Sequence, residues 1–169
     1  MDTSDHITIP LTRGYSTVID AIDINLIGLK WNVHIENGKC YAYHYMTDKG
    51  NRITVFMHRV ILSHMLGREL LPNEYPDHID GNGLNNRREN LRLATHTQNM
   101  QNRKIHKNNK TGYKGVYRTG DSFTAQIRVN KKKIYLGAHA TPELAAAAYD
   151  KAAIKYFGEF AFINKKRAD

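Results

Sequence analysis

The chain has 169 residues, with 25 Lys and Arg against 16 Asp and Glu, a net charge of +9, and 41% apolar side chains. That length holds one medium domain or two small ones, and so basic a balance points to a polyanion, usually nucleic acid, as partner. The single cysteine, Cys40, excludes an intrachain disulfide framework and a Cys-x-x-Cys zinc site, and no run approaches the roughly 18 apolar residues of a membrane span.

Charge is unevenly placed. Residues 1–102 hold 10 Lys and Arg against 11 Asp and Glu, and residues 103–169 hold 15 against 5. The second part therefore supplies the attraction for phosphate. The start, MDTSDHITIP, has neither the basic flank nor the apolar run of a secretion signal, and with one cysteine a reducing compartment is expected.

In chain order, residues 1–10 read as polar and loose at first, with a strand opening over Ile7 to Leu11. Tyr15 to Ile19 is rich in β-formers. Asp20 to Leu29 fits a short helix or a strand and turn; a short helix is the expectation. Lys30 to Ile35 alternates as a strand, Asn37-Gly38 is a hairpin turn, and Cys40 to Met46 alternates back. Tyr41, Tyr43 and Tyr45 then share one face, which reads as a covered sheet face more readily than as a stacking platform for bases. After a turn at Asp48 to Asn51, Arg52 to Met57 forms another strand. The result is an antiparallel meander with Trp31 in its core. Met57 to Leu66 has apolar residues at helical spacing and Gly67 to close it. His58 and His64 fall on different faces, so a shared metal is not expected, and His58-Arg59 reads as packing or phosphate contact.

Tyr75 to Asn102 is the chemically dense stretch. Asp77 and His78 are adjacent, and a loop rich in Gly and Asn (Gly81, Asn82, Gly83, Asn85, Asn86) leads to Asn90. Leu91-Arg92-Leu93-Ala94 alternates as a half-buried strand. Thr95 or Thr97 can cap a helix running to about Asn102, with Asn99 on its first turns. Taken singly, each of these residues suits a turn-rich surface loop. It is their joint occurrence inside a strand–loop–strand–helix pattern, at the spacing of a known family, that favours a functional reading.

This stretch resembles the ββα-metal core of the His-Asn-His (HNH) endonucleases, in the variant whose last position is Asn. The likeness is strongest from Met57 onward. It implies one divalent cation, Mg2+ or Mn2+, on the carboxylate of Asp77 and the amide oxygen of Asn99. Hard oxygen donors suit such ions. It further implies that His78 is the general base, since a neutral imidazole takes a proton near neutral pH. Asn90 would pin the loop and orient that base without touching the metal.

Arg103 to Thr111 lacks apolar periodicity and reads as a basic linker. Strands follow at Tyr113 to Arg118, Phe123 to Val129 and Lys133 to Ala138. A helix then runs from Thr141-Pro142 to about Phe157, with Gly158 ending it. Leu144, Ala145, Ala148, Tyr149, Ala152 and Tyr156 form its expected apolar stripe. Tyr113-x-Gly115-Val116, Ala125-x-Ile127-Arg128, Leu136-Gly137, Ala146-x-x-Tyr149-Asp150-x-Ala152-Ala153 and Asn164 together resemble the DNA-binding domain of the plant ethylene-response-factor (Apetala-2) family. That likeness implies a sheet that enters the major groove. Lys114, Tyr117, Gln126, Arg128, Lys133 and Tyr135 would face DNA, with Arg118 on the backbone. Lys114, Tyr117 and Gln126 stand where plant members usually have Arg, Arg and Glu, so the plant target sequence does not transfer. The run Lys131 to Lys133 is expected to touch phosphate.

The expected architecture is α+β. A nuclease domain over 1–102, with its core at 75–102, is joined by a linker at 103–111 to a three-stranded antiparallel sheet packed on one helix at 112–164. The expected function is metal-dependent endonuclease cleavage of double-stranded DNA to 5′-phosphate and 3′-hydroxyl ends, of the homing or mobile type. The protein is expected to be phage-encoded, to work in the cytoplasm of a bacterial host away from membranes, and to be a monomer or weak dimer. The competing reading is a non-catalytic DNA-binding regulator.

Overall fold

The computed structural model describes residues 6–103, 105 and 108–164. The loose start expected before residue 6 lies outside the described residues, as do Lys104, His106 and Lys107 of the expected linker. The chain divides into two compact units, Met1–Asn99 and Met100–Asp169.

In the first unit, β1 (His6–Pro10) pairs antiparallel with β2 (Ser16–Asp20). The meander follows as β3 (Asn32–Glu36), β4 (Lys39–Asp48) and β5 (Asn51–Phe56), hydrogen-bonded in that order. Both of its hairpins turn through paired positive φ values, Asn37 and Gly38 at 51° and 76°, Lys49 and Gly50 at 47° and 81°. Paired left-handed residues give the turn whose twist matches the flanking strands. α1 (Met57–Leu66) ends on Gly67 in the left-handed conformation. β6 (Tyr75–His78) pairs antiparallel with β7 (Leu91–Ala94), and α2 (His96–Gln101) follows. Thr95 Oγ1 accepts from Gln98 N, and Gln98 Oε1 accepts from Thr95 N, so each end of this pair satisfies an orphan amide.

The core of this unit gathers Ile9, Leu11, Ile19, Leu26, Trp31, Val33, Ala42, Met57, Ile61 and Leu91. Trp31 is buried as expected, and its indole N–H donates to Leu26 O at 2.8 Å. The short helix expected over Asp20 to Leu29 is a 3-10 segment, Ala21–Gly28, kinked at Asp23. Its apolar residues are not at helical spacing: Ile22, Ile24, Ile27 and Leu29 stay exposed while Leu26 is buried. Asp23 is drawn inward to an arginine.

In the second unit, β8 (Val116–Thr119), β9 (Ser122–Val129) and β10 (Lys132–His139) form an antiparallel sheet with β9 central. β8 starts later than its sequence suggests because Asn109 Oδ1 accepts from the amides of Thr111 and Gly112, which turns the chain first. α3 (Pro142–Phe157) packs on one face of the sheet, capped by Thr141, whose hydroxyl accepts from Leu144 N. The buried stripe of α3 is Ala145, Ala146, Tyr149, Ala152 and Ala153. Leu144 and Tyr156 of the expected stripe are exposed at 55% and 41%. The small alanines bring the helix close enough that the sheet faces their side, and the two larger residues fall outside. Fold class is thus α+β, with antiparallel sheets and a terminal helix on a three-stranded sheet.

Candidate active site

β6 and β7 run side by side with Asp77 opposite Arg92 and His78 opposite Leu91. Asp77 and His78 are both buried, at 4% and 7% exposure. Asp77 Oδ2 accepts from Arg92 Nε and Nη2 at 2.9 and 2.7 Å. Asn99, on α2, donates from its amide nitrogen to Pro76 O at 3.3 Å, one residue from Asp77. Its amide oxygen is then the acceptor end of that side chain.

His78 lies in an aromatic and imidazole surround. Its ring centroid is 5.4 Å from that of His58 and 6.1 Å from that of Tyr41. Nε2 of His78 meets Asn86 Oδ1 at 3.1 Å. Burial lowers the basicity of the imidazole, and the bond to Asn86 acts the other way. Burial also raises the Tyr41 hydroxyl above its ordinary value. His58 stacks on Phe56, and burial pushes its imidazole down to about 3. Its Nδ1 has no solvent exposure and no hydrogen-bond partner among the described residues. Of the tyrosine row, Tyr41 alone borders this site. Tyr43 and Tyr45 pack edge to face, 5.1 Å apart, and Arg52 lies over the Tyr45 ring.

Asn90 organises the loop between the strands. Its Nδ2 donates to Asp80 Oδ1 and Asn85 O at 3.0 and 2.8 Å, and its Oδ1 accepts from Asp80 N at 3.0 Å. Burial alone would raise the Asp80 carboxyl, but donors from Asn85, Asn82 and Asn90 hold it below its ordinary value. Gly83 allows a close approach: a Cβ there would collide with Cys40 O and the Tyr41 ring. Three anchors escaped sequence reasoning. Asn86 is fully buried and bonded to Thr17; Arg88 forks onto buried Asp23 at 2.8 and 2.7 Å; Arg88 N donates to Asp20 at 2.7 Å. They join residues 65 to 69 positions apart, beyond any local pattern.

Whether these side chains suit a cation follows from their chemistry. Among the described residues no group of three or more His, Cys, Asp or Glu could hold a metal ion. A structural zinc site of four Cys or His ligands therefore does not fit among the described residues. One carboxylate and one amide oxygen do fit a hard cation that draws its other ligands from water and phosphate. In this structure Asp77 Oδ2 is engaged by the Arg92 guanidinium.

A family model described as HNH endonuclease matches residues 55–101, from the end of β5 through α2. Residues 55–101 thus resemble an HNH endonuclease domain. It is 36% identical over 109 residues to an uncharacterized HNH endonuclease of Acanthamoeba polyphaga mimivirus, covering 64% of this chain and 57% of that one. It is 52% identical over 42 residues to Protein 3.8 of Escherichia phage T7, covering 25% of this chain and 35% of that one. The chain thus spans about half or less of the length of these curated relatives. No helix among the described residues is long and apolar enough to cross a membrane.

The sheet of the second unit presents a separate polar face. Register sets Tyr117 opposite Thr124, Gln126 opposite Tyr135 and Arg128 opposite Lys133. Those residues share the face away from α3, while Ala125 and Ile127 are buried toward it. Tyr117 and Tyr135 are exposed at 51% and 66%. Arg118 alternates to the other face and its Nε donates to Gly120 O. Lys114 precedes β8. Its Nζ donates to Gln101 O and Arg103 O at 2.6 and 2.7 Å, and burial lowers its amine to about 8. Lys114 is thus engaged with backbone rather than projecting from the sheet.

Proposed function

We propose that the chain is a metal-dependent DNA endonuclease whose nuclease domain is directed by its C-terminal, ethylene-response-factor-like sheet. The observation that carries this reading is the buried Asp77–His78 pair on β6, next to Asn99, inside a segment that matches the HNH endonuclease family. His78 takes a proton from water, and the hydroxide attacks phosphorus in line with the 3′ oxygen. The P–O3′ bond breaks, leaving a 5′-phosphate and, once the leaving oxygen is protonated, a 3′-hydroxyl. A divalent cation, Mg2+ or Mn2+, held by Asp77 and Asn99 would supply the charge that stabilises the phosphate and the departing oxygen. Asn90 keeps the loop closed behind the base through Asp80 and Asn85.

Grip and site choice belong to the second unit in this reading. Arg128 and Gln126 have the side chains for guanine and adenine edges, and Lys133, Tyr117 and Tyr135 flank them. Arg118 serves the backbone, and Lys114 stabilises the start of the sheet instead of reading a base. Double-stranded DNA is the partner, and viral relatives fit a phage or virus source with a homing-type role.

The test is cleavage of plasmid carrying selected target sites, with Mg2+, by wild type and His78→Ala. Loss of cutting in His78→Ala with DNA binding retained supports the enzyme. Binding without cutting by the wild type on those sites, with Mg2+ or Mn2+, would leave a DNA-binding regulator.

A further inference from the structure

We infer that Thr17 and Asn86 are positioning residues that fix the tautomer of His78, and so decide which ring nitrogen accepts the proton from water. The inference rests on the reading of His78 as the base. Its physical part, the tautomer, is testable without any activity.

The chain of bonds allows one assignment. Thr17 and Asn86 are fully buried, so their polar atoms find their partners within the protein. Thr17 Oγ1 lies 2.7 Å from Leu84 O, and its other acceptor, Met57 Sδ, is at 3.9 Å. A carbonyl and a thioether can only accept, so the one hydroxyl proton of Thr17 is spent there. Toward Asn86 the hydroxyl therefore accepts, and the Asn86 atom at 2.8 Å is the amide nitrogen. A flipped amide would turn the Thr17 proton away and leave two oxygens, Thr17 Oγ1 and Leu84 O, facing at 2.7 Å without a proton between them. The other end of the amide, Oδ1, is thus the atom 3.1 Å from His78 Nε2. An amide oxygen only accepts, so Nε2 carries the proton and the lone pair of the neutral ring lies on Nδ1.

The relay is anchored in the backbone. Val18 N donates to Leu84 O at 3.0 Å, and Asn86 N donates to Val18 O at 2.8 Å. β2 therefore grips the loop on both sides of Asn85, and Thr17 is held at the centre of that grip. Thr17 lies outside the segment 55–101 that matches the nuclease family. The N-terminal hairpin is in this view part of the site, not a separate ornament.

The experiment uses the full chain labelled with 15N-histidine. Two-bond proton–nitrogen correlations report which ring nitrogen of His78 is protonated, with its signals assigned by their loss in His78→Gln. Wild type is expected to show Nε2–H alone. Thr17→Val and Asn86→Leu are expected to show mixed tautomers and cleavage about 10- to 100-fold slower at saturating DNA, with unchanged DNA affinity. Thr17→Ser, which keeps the hydroxyl, is expected to restore both readouts. A proton on Nδ1 in the wild type would overturn the inference even if no variant folds. So would Thr17→Val with wild-type tautomer and rate. If His78→Ala still cuts, the assignment of the base fails, while the tautomer result stands on its own.

Discussion

The two units bury different things. Among the described residues, the first buries Thr17, Asp23, Asp77, His78, Asn86 and Asn90, whereas the second buries one polar side chain, Asn164. The second is a regular layer of sheet and helix whose polar groups face outward. The first hides polar groups, and several depend on partners far along the chain, Thr17 on Leu84 and Asn86 and Asp23 on Arg88. A unit whose polar groups lie on its surface can be packed like any small domain; one that buries six polar side chains must supply partners for nearly all of their donors and acceptors.

The largest expected effect tests that contrast at its most buried charge. Asp23 is 1% exposed and its carboxylate is forked by Arg88. Among the described residues, Arg88→Met leaves the buried carboxylate only His64 Nδ1, at 3.7 Å, and the expected cost is about 3 kcal/mol. Denaturant unfolding followed by the fluorescence of Trp31, the single tryptophan and buried in this unit's core, measures it. In the second unit Asn164 accepts from Lys114 N and donates to Asp150, so Asn164→Ala should cost about 1–2 kcal/mol by far-ultraviolet circular dichroism. A larger loss for Asn164→Ala than for Arg88→Met would break the comparison.

A smaller effect separates binding from chemistry. Arg128 is exposed on the polar face and pairs in register with Lys133. Arg128→Ala should weaken binding to a cognate site by about 1–3 kcal/mol and relax preference at one base pair. Cleavage at saturating DNA should not change. A drop in the saturated rate with unaltered affinity would place Arg128 in the chemistry and sink the proposed division of labour.

Much of this contrast could be read from the chain. Strand alternation marked β7 and β9, turn chemistry marked the hairpins at Asn37-Gly38 and Asp48 to Asn51, and Gly67 and Thr141-Pro142 marked helix ends. Asp77, His78, Asn90 and Asn99 stood out by type and spacing. What was not legible is closure at long range. Nothing local ties Thr17 to Asn86 or Asp23 to Arg88, because threonine in a strand and aspartate after one are ordinary. The short helix expected near Ala21–Gly28 is present, but as a 3-10 segment kinked at Asp23, whose carboxylate meets Arg88 65 residues on. Lys114 was assigned outward by position, yet its amine closes on nearby backbone carbonyls.

The finest test of the buried half is its response to acid, and His58 is the group that isolates it. Its imidazole is lowered to about 3 from an ordinary 6.5, first by burial and then by His78 and Arg59. The facing groups are the rings of Phe56, Tyr41 and His78, and none brings a carboxylate against it. A folded-state value below the unfolded one means that the unfolded chain binds the proton first. The stability this neutral ring permits is therefore complete above about pH 6.5 and is lost as pH falls toward 3. The slope cannot exceed about 1.4 kcal/mol per pH unit, and because the residue as a whole is only half-buried it is expected nearer to roughly 1. His58→Asn removes the titration, so its stability between pH 6 and 4 should fall less steeply than that of the wild type by that amount. Parallel curves would mean that His58 accepts its proton without cost, and that the pocket beside His78 is wetter than its packing implies.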